Sequence, residues 1–254
     1  MAARPAPVQW AGSLLHFLLM VVTIPIWAVI ALLLYPFPFS VRYPVIASWG
    51  HVVIRSAEWL CGLRAQVEGL EHISSSEVAV VMAKHQSAWE TLALLRWFSP
   101  QTWVLKRELL YIPFFGWGLK RLEPIAIQRS AGGNARQQVL EQGILRLQAG
   151  RWVVVFPEGT RMPPGQRGRY RSGGASLAIA AGCPVIPVAH NAGEYWARRS
   201  LLRRPGTIRV IIGPPIATAG RRADDVTREV ETWIEARMAE ITRRGSPPPT
   251  RSAR

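Results

Sequence analysis

The order of apolar and polar positions divides the chain into two regimes. From Leu14 to Tyr35 almost every residue is apolar, and no Asp, Glu, Lys or Arg occurs between Arg4 and Arg42. A helix rises about 1.5 Å per residue, so this run is long enough to cross a hydrocarbon core. Pro25 in its middle predicts a kink or a break. A secretory signal is the competing reading. Against it stand the length of the run and the lack of a small-x-small cleavage site after Tyr35. Val45 to Gly62 is patterned differently. Ser48, His51, Arg55 and Glu58 recur at helical spacing as one polar stripe, with Trp49, Val52, Val53 and Trp59 mainly on other faces. This predicts an interfacial helix rather than a spanning one, although an amphipathic helix packed on a folded domain carries the same signature.

From Glu68 onward, short apolar runs alternate with helical periodicity. The runs Val78–Ala83, Thr102–Leu105, Pro124–Ile127, Trp152–Phe156, Pro184–Val188 and Thr207–Ile212 predict strands. Trp89–Phe98, Ala135–Ala149, Ala175–Ala181 and Asp225–Ile241 predict helices. Such interleaving specifies an α/β fold: a mixed central sheet flanked by helices, here preceded by N-terminal membrane-associated helices. The expected organisation is membrane-anchoring helices over residues 1–64, an α/β domain over 65–243 and a disordered basic tail over 244–254, where Pro247, Pro248 and Pro249 precede further arginines.

Charge narrows the partners. The 254-residue chain is 49% hydrophobic yet carries a formal net charge of +15, nearly all from arginine; its lysines are Lys84, Lys106 and Lys120. A basic chain seeks nucleic acid, an anionic membrane or phosphorylated substrates. No zinc-finger spacing or RNA-binding signature is present, and the apolar N-terminal region turns the choice toward membrane lipids and away from nucleic acid. Cys61 and Cys183 are isolated, so they supply neither a disulfide framework nor a metal site, and both are expected to be small buried residues.

Two segments carry chemistry. The first, Lys84-His85-Gln86-Ser87-Ala88-Trp89-Glu90, follows a predicted strand and opens a predicted helix. A histidine paired with a carboxylate is a general-base unit, because the carboxylate holds the tautomer and stabilises the imidazolium. Residues five apart lie about 140° apart on a regular helix, so His85 and Glu90 meet only if His85 sits in the turn before it. Ser87 to Glu90 also spells a capping box, in which Glu90 would only close the helix start. The second segment runs from Val153 through Phe156-Pro157-Glu158-Gly159-Thr160-Arg161. Gly159 permits a backbone conformation closed to other residues. Arg161 suits a phosphate with its planar fork, and a structural Arg–Glu pair is the alternative.

Taken together, these segments resemble the bacterial 1-acylglycerol-3-phosphate acyltransferases of the glycerolipid acyltransferase superfamily. That family carries a His-x4-Asp motif after a strand, matched here by His85 and Glu90, with Glu for Asp. Its Phe-Pro-Glu-Gly-Thr-Arg motif is matched verbatim by Phe156 to Arg161. Pro124 to Arg129 fits the family's intermediate segment ending in arginine, and Val185-Ile186-Pro187-Val188 its proline-bearing strand. The likeness spans roughly residues 65–215. Gln128 stands where the family commonly has Asp, and Ser172-Gly173-Gly174 replaces a more basic stretch, so acceptor choice is less constrained than reaction type.

The resemblance implies a membrane-bound acyltransferase of phospholipid biosynthesis. It would move a fatty acyl group from acyl-CoA or acyl carrier protein to the sn-2 hydroxyl of 1-acylglycerol-3-phosphate, giving phosphatidic acid. His85 would take the hydroxyl proton and Glu90 would orient His85. Lys106, Arg129 and Arg161 would bind the acceptor phosphate, Glu158 would orient the acceptor or one of those cations, and Gly159 and Thr160 would shape the turn. No metal and no cofactor is implied. The expected location is the bacterial inner membrane, with the catalytic domain facing the cytoplasm. Another lysophospholipid or a lyso-aminolipid acceptor, and a non-enzymatic membrane-binding module, are the rival readings.

Overall fold

The computed structural model describes residues 6–73, 78–128 and 133–242. Two antiparallel-packed helices begin the chain. Helix α1 (Ala6–Leu33) continues through Pro25, and α2 (Phe39–Cys61) ends on Gly62, which caps it in the left-handed region at φ 70°. At 28 residues, α1 is about 42 Å long. Few of its side chains are buried; Leu15, Val22 and Leu33 are 54%, 62% and 71% exposed, so most of its apolar surface has no protein cover. Polar contacts join it to α2, His16 Nδ1 to Ser56 Oγ at 2.9 Å, Trp49 Nε1 donating to Thr23 Oγ1 at 3.0 Å, and Trp27 Nε1 donating to Ser48 Oγ at 3.1 Å, and Met20 and Ala31 pack in the core that holds α2.

Helix α2 departs from the interfacial expectation. Tyr43, Ile46, Ala47, Gly50, Val53, Ile54, Ala57 and Cys61 are buried in one stripe. They share a core with sheet residues such as Val81, Val154 and Ile208, so this apolar stripe is covered by protein rather than left for lipid. The polar stripe serves the fold in part: Glu58 pairs with Arg96 at 2.6 Å.

The domain holds a sheet of seven strands: β1 (Leu63–Glu68), β2 (Val80–Ala83), β3 (Gln101–Lys106), β4 (Ile125–Ile127), β5 (Trp152–Val155), β6 (Val185–His190) and β7 (Gly206–Ile212). Their spatial order is β1-β7-β6-β2-β5-β3-β4. Every pairing is parallel except β6 with β7, which makes the sheet mixed as expected. Alternation along the strands sends side chains to two cores. On one face Val81, Ala83, Trp152, Val154, Ile186 and Val188 pack with α2 and α3 (Trp89–Ala93). On the other, Val80, Met82, Val153, Val155, Val185 and Ala189 pack with α5 (Gly133–Gln148), α6 (Gly173–Ala181) and α7 (Ala223–Ile241). Burial on both faces is why these strands read as continuous apolar runs.

Two elements were not anticipated. Strand β1 starts the sheet at Leu63, five residues before the point where the alternation became evident, and only one of its faces is shielded. Helix α4 (Phe115–Arg121) was missed because it is short and contains Gly116 and Gly118, both poor helix formers. Gly116 is required there, since a Cβ would sit 2.4 Å from the Leu110 carbonyl oxygen. The predicted helix Trp89–Phe98 is only one turn of α-helix followed by a 3-10 turn over Leu94–Arg96. Cys61 is buried as expected, whereas Cys183 is half-buried. The tail expected to be disordered lies outside the described residues.

Candidate active site

Parallel strands all end at the same edge of a sheet, and this gathers the motifs. Strands β2 and β5 are neighbours in register, Met82 opposite Val155. The segment after β2 carries His85 and the one after β5 carries Phe156 to Arg161, so two stretches some seventy residues apart emerge side by side. Strand β3 lies next to β5 and ends on Lys106, extending the same row. Arg129, expected to bind phosphate, lies outside the described residues.

His85 sits in the turn before α3, as its spacing from Glu90 required. Its Nδ1 lies 2.9 Å from Glu90 Oε1. The same oxygen accepts the Gln86 N–H at 2.9 Å and the Ser87 N–H at 2.8 Å. Glu90 therefore closes the helix start and orients the histidine with one atom. The Ser87 hydroxyl completes the cap by accepting the Trp89 N–H at 3.1 Å and donates to the Trp196 carbonyl at 2.6 Å. With Nδ1–H donated to a carboxylate, the lone pair of His85 Nε2 remains as the basic position. The imidazole stacks on Phe156, centroids 4.0 Å apart, which fixes the ring plane.

The Glu90 side chain has no exposed surface. Burial by itself would raise its pKa. The nearby imidazoles of His190 and His85 and the hydrogen bonds from His85 and the Ser87 amide outweigh that, holding the carboxyl below its ordinary range. His190 is buried too, and burial pushes its pKa down despite Glu90. Its Nε2 donates to the Lys84 carbonyl at 2.7 Å, and its Nδ1 lies 3.3 Å from the Ala192 amide nitrogen. Sequence reasoning missed His190, because a lone histidine ending a strand has no spacing signature.

His85 lies on the wall of a cavity of about 520 Å³. Apolar residues on its wall include Trp27, Ala47, Gly50, Leu92, Leu95 and Leu119 from α1, α2, α3 and α4 and the segments flanking them. Basic residues line it as well, Lys106, Arg161, Arg171 and Arg198, together with Gly159 and Thr160. Gly159 has φ 67° in a turn closed by its N–H to the Phe156 carbonyl at 2.9 Å, a conformation that favours glycine. Arg171 and Arg198 were not anticipated; they come from loops whose approach to the cavity is decided by the fold.

Glu158 is placed otherwise than the sequence suggested. Its side chain is fully buried and absent from the cavity wall. One oxygen accepts Lys84 Nζ at 2.7 Å and the Gly168 N–H at 3.0 Å, and the other accepts the His85 N–H at 3.0 Å. It orients the backbone of the histidine and is paired with Lys84 rather than with Lys106 or Arg161. Among the described residues no cluster of side chains suits a metal ion.

The chain as a whole is similar to known proteins. A family model described as acyltransferase matches residues 64–191. The chain is 43% identical to the 1-acyl-sn-glycerol-3-phosphate acyltransferase of Pseudomonas aeruginosa over 240 residues, covering 92% of this chain and 93% of that protein. It is 28% identical to the protein of the same name from Cocos nucifera, over 85% of this chain and 70% of that one. The fold matches the crystal structure of the 1-acyl-sn-glycerophosphate acyltransferase PlsC of Thermotoga maritima, with a TM-score of 0.76 at 21% identity, over 93% of this chain and 97% of that one. A histidine oriented by a carboxylate, on the wall of a cavity lined by apolar and cationic side chains, thus occurs in a chain that belongs to the acyltransferase family.

Proposed function

We propose that this enzyme acylates the sn-2 hydroxyl of 1-acylglycerol-3-phosphate, producing phosphatidic acid for phospholipid synthesis, with acyl-CoA or acyl carrier protein as the thioester donor. The observation that carries the reading is that His85, paired with Glu90, lies on the wall of a cavity that apolar side chains and four cations also line. His85 Nε2 accepts the proton of the acceptor hydroxyl as its oxygen attacks the thioester carbonyl. The tetrahedral intermediate collapses, the C–S bond breaks, and the thiolate leaves with the proton returned by the imidazolium. Glu90 stabilises that imidazolium through Nδ1–H. Arg161 and Lys106, with Arg129, hold the acceptor phosphate, and the apolar side chains of the cavity take an acyl chain. Helix α1 supports membrane insertion, and we place the enzyme on the inner membrane with its sheet domain toward the cytoplasm.

Purified full-length protein supplied with acyl-CoA and either lysophosphatidic acid or other lysolipids, with products identified by mass spectrometry, tests the assignment. Phosphatidic acid as the dominant product is expected; dominant acylation of an acceptor without a terminal phosphate would replace it. His85→Ala should lower turnover by about 10²–10⁴-fold, the range for a positioned general base.

A further inference from the structure

The catalytic histidine is held by a buried polar strut that reaches it from the C-terminal helix, beyond the residues the family model matches. Lys84 is 1% exposed, and its ammonium lies between two carboxylates, Glu158 at 2.7 Å and Glu235 of α7 at 2.8 Å, with the Gln166 carbonyl at 3.2 Å. Tyr170 donates its hydroxyl to the same Glu235 oxygen at 2.8 Å. Burial, then Glu235 and Glu158, push the Tyr170 hydroxyl far above its ordinary pKa, so it stays a donor. Burying a cation without partners is costly, and this one has three oxygen partners.

The strut bears on the base through the backbone. The second oxygen of Glu158 accepts the His85 N–H. The remaining polar backbone groups of Lys84 and His85 are also occupied: Lys84 N–H to the Val188 carbonyl at 2.9 Å, the Lys84 carbonyl to His190 Nε2 at 2.7 Å, and the His85 carbonyl to the Met162 N–H at 2.7 Å. The peptide that carries the base is pinned at every donor and acceptor, and the Lys84 side chain connects that peptide to α7. Lys84, Glu158, Tyr170 and Glu235 are absent from the lining of the cavity at His85, so they bear on the reaction through the residues they hold.

We infer that Lys84 and Glu235 are positioning residues for the acyl transfer: the Glu158–Lys84–Glu235 bridge sets the position of His85 relative to the acceptor hydroxyl, and α7 is thereby part of the catalytic apparatus. The inference rests on the acyl-transfer role of His85 proposed above. A base displaced by as little as about 1 Å loses on the order of 100-fold in rate, so the effect belongs in kcat.

The test uses the full-length protein in detergent micelles, measuring kcat, KM for donor and acceptor, and thermal midpoint. The variants are Glu235→Leu, Glu235→Gln, Tyr170→Phe and His85→Ala, with Glu231→Leu as control. Glu231 lies on the same helix but pairs with Arg167, an exposed residue. Glu235→Leu should lower kcat by about 10- to 100-fold with both KM values within about twofold. Glu235→Gln should restore most of that loss, because its amide oxygen still accepts from Lys84 and Tyr170. Tyr170→Phe, which removes one hydroxyl and keeps the packing, should lower kcat at least about threefold even if Glu235→Leu does not fold. Glu231→Leu should leave kcat unchanged. A kcat within about twofold of wild type in folded Glu235→Leu and in Tyr170→Phe would overturn the inference. So would a loss confined to KM, or one shared equally by Glu231→Leu. An active His85→Ala protein would instead remove the acyl-transfer reading on which the inference stands.

Discussion

At Glu90, two roles that look exclusive in the sequence are performed by one oxygen. Oε1 accepts from the Gln86 and Ser87 amides, as a capping box requires, and from His85 Nδ1, as a general-base pair requires. The arrangement makes a substitution informative. In Glu90→Gln the amide oxygen would keep the two backbone bonds, and the charge that stabilises the imidazolium would be lost. Glu90→Gln is therefore expected to lower kcat by about 100-fold or more while the thermal midpoint barely moves; a parallel fall of both would make Glu90 a structural cap. The carboxyl also has a pH signature. Its folded pKa is depressed, below an unfolded value of about 4.3. The stability it contributes is fully present above that unfolded value and is lost as pH falls through the lowered folded one. Urea midpoints measured downward from about pH 6 should decline on the acid side in the wild type, and Glu90→Gln should flatten part of that decline.

Helix α2 shows how an element's partner escapes its own periodicity. The stripe Tyr43, Ile46, Ala47, Gly50, Val53, Ile54, Ala57, Cys61 is equally suited to a lipid surface and to a protein core, and only the sheet beneath decides. Burial of Ile54 at 0% exposure gives a direct check. Ile54→Ala should destabilise the protein by about 2–5 kcal/mol, whereas Trp59→Ala on the same helix, 78% exposed, should stay within about 0.5 kcal/mol. Chemical denaturation in detergent distinguishes them. Equal, small effects at both positions would mean that α2 is not part of the folded core. Helix α1 behaves differently because its apolar residues exceed what the domain can cover, leaving Val21, Val22, Ile26 and Val29 about half-exposed.

That uncovered surface governs the whole molecule. Apolar area kept in water costs about 25 cal/mol per Å², and the arginine excess adds attraction to anionic lipid that salt screens. The protein should therefore fractionate with membranes and remain there through a high-salt wash, because insertion of α1 does not depend on charge. Release into the soluble fraction by salt alone would show that charge rather than α1 holds it. The same topology brings α1 and α2 to the wall of the cavity that holds His85, so the helix with the uncovered apolar surface also lines the site.

Local patterning alone determined much of this protein. Runs such as Val153–Val155 are buried on both faces and so carry no polar positions, which is why most of the strands could be placed; Gly159 and the His85–Glu90 spacing likewise state their geometry in a few adjacent residues. Strand β1 carries a legible signal as well, Leu63, Ala65 and Val67 alternating strictly with Arg64, Gln66 and Glu68, but it is short and follows α2 after Gly62 alone, so it reads as the end of that helical segment. What tertiary structure decided is every relation between distant segments. Lys84 looks like one more cation of a basic chain until α7 brings Glu235 to it from 151 positions away. Glu158 appears available to substrate until Lys84 and the His85 amide saturate it. Arg171 and Arg198 become cavity residues only because loops after β5 and β6 turn toward the same edge. The physical reason is common to all of these. A side chain's conformation is limited by its near neighbours, but its charge partner, its burial and its access to substrate depend on which strands lie next to each other, and that order is set by packing of the whole sheet.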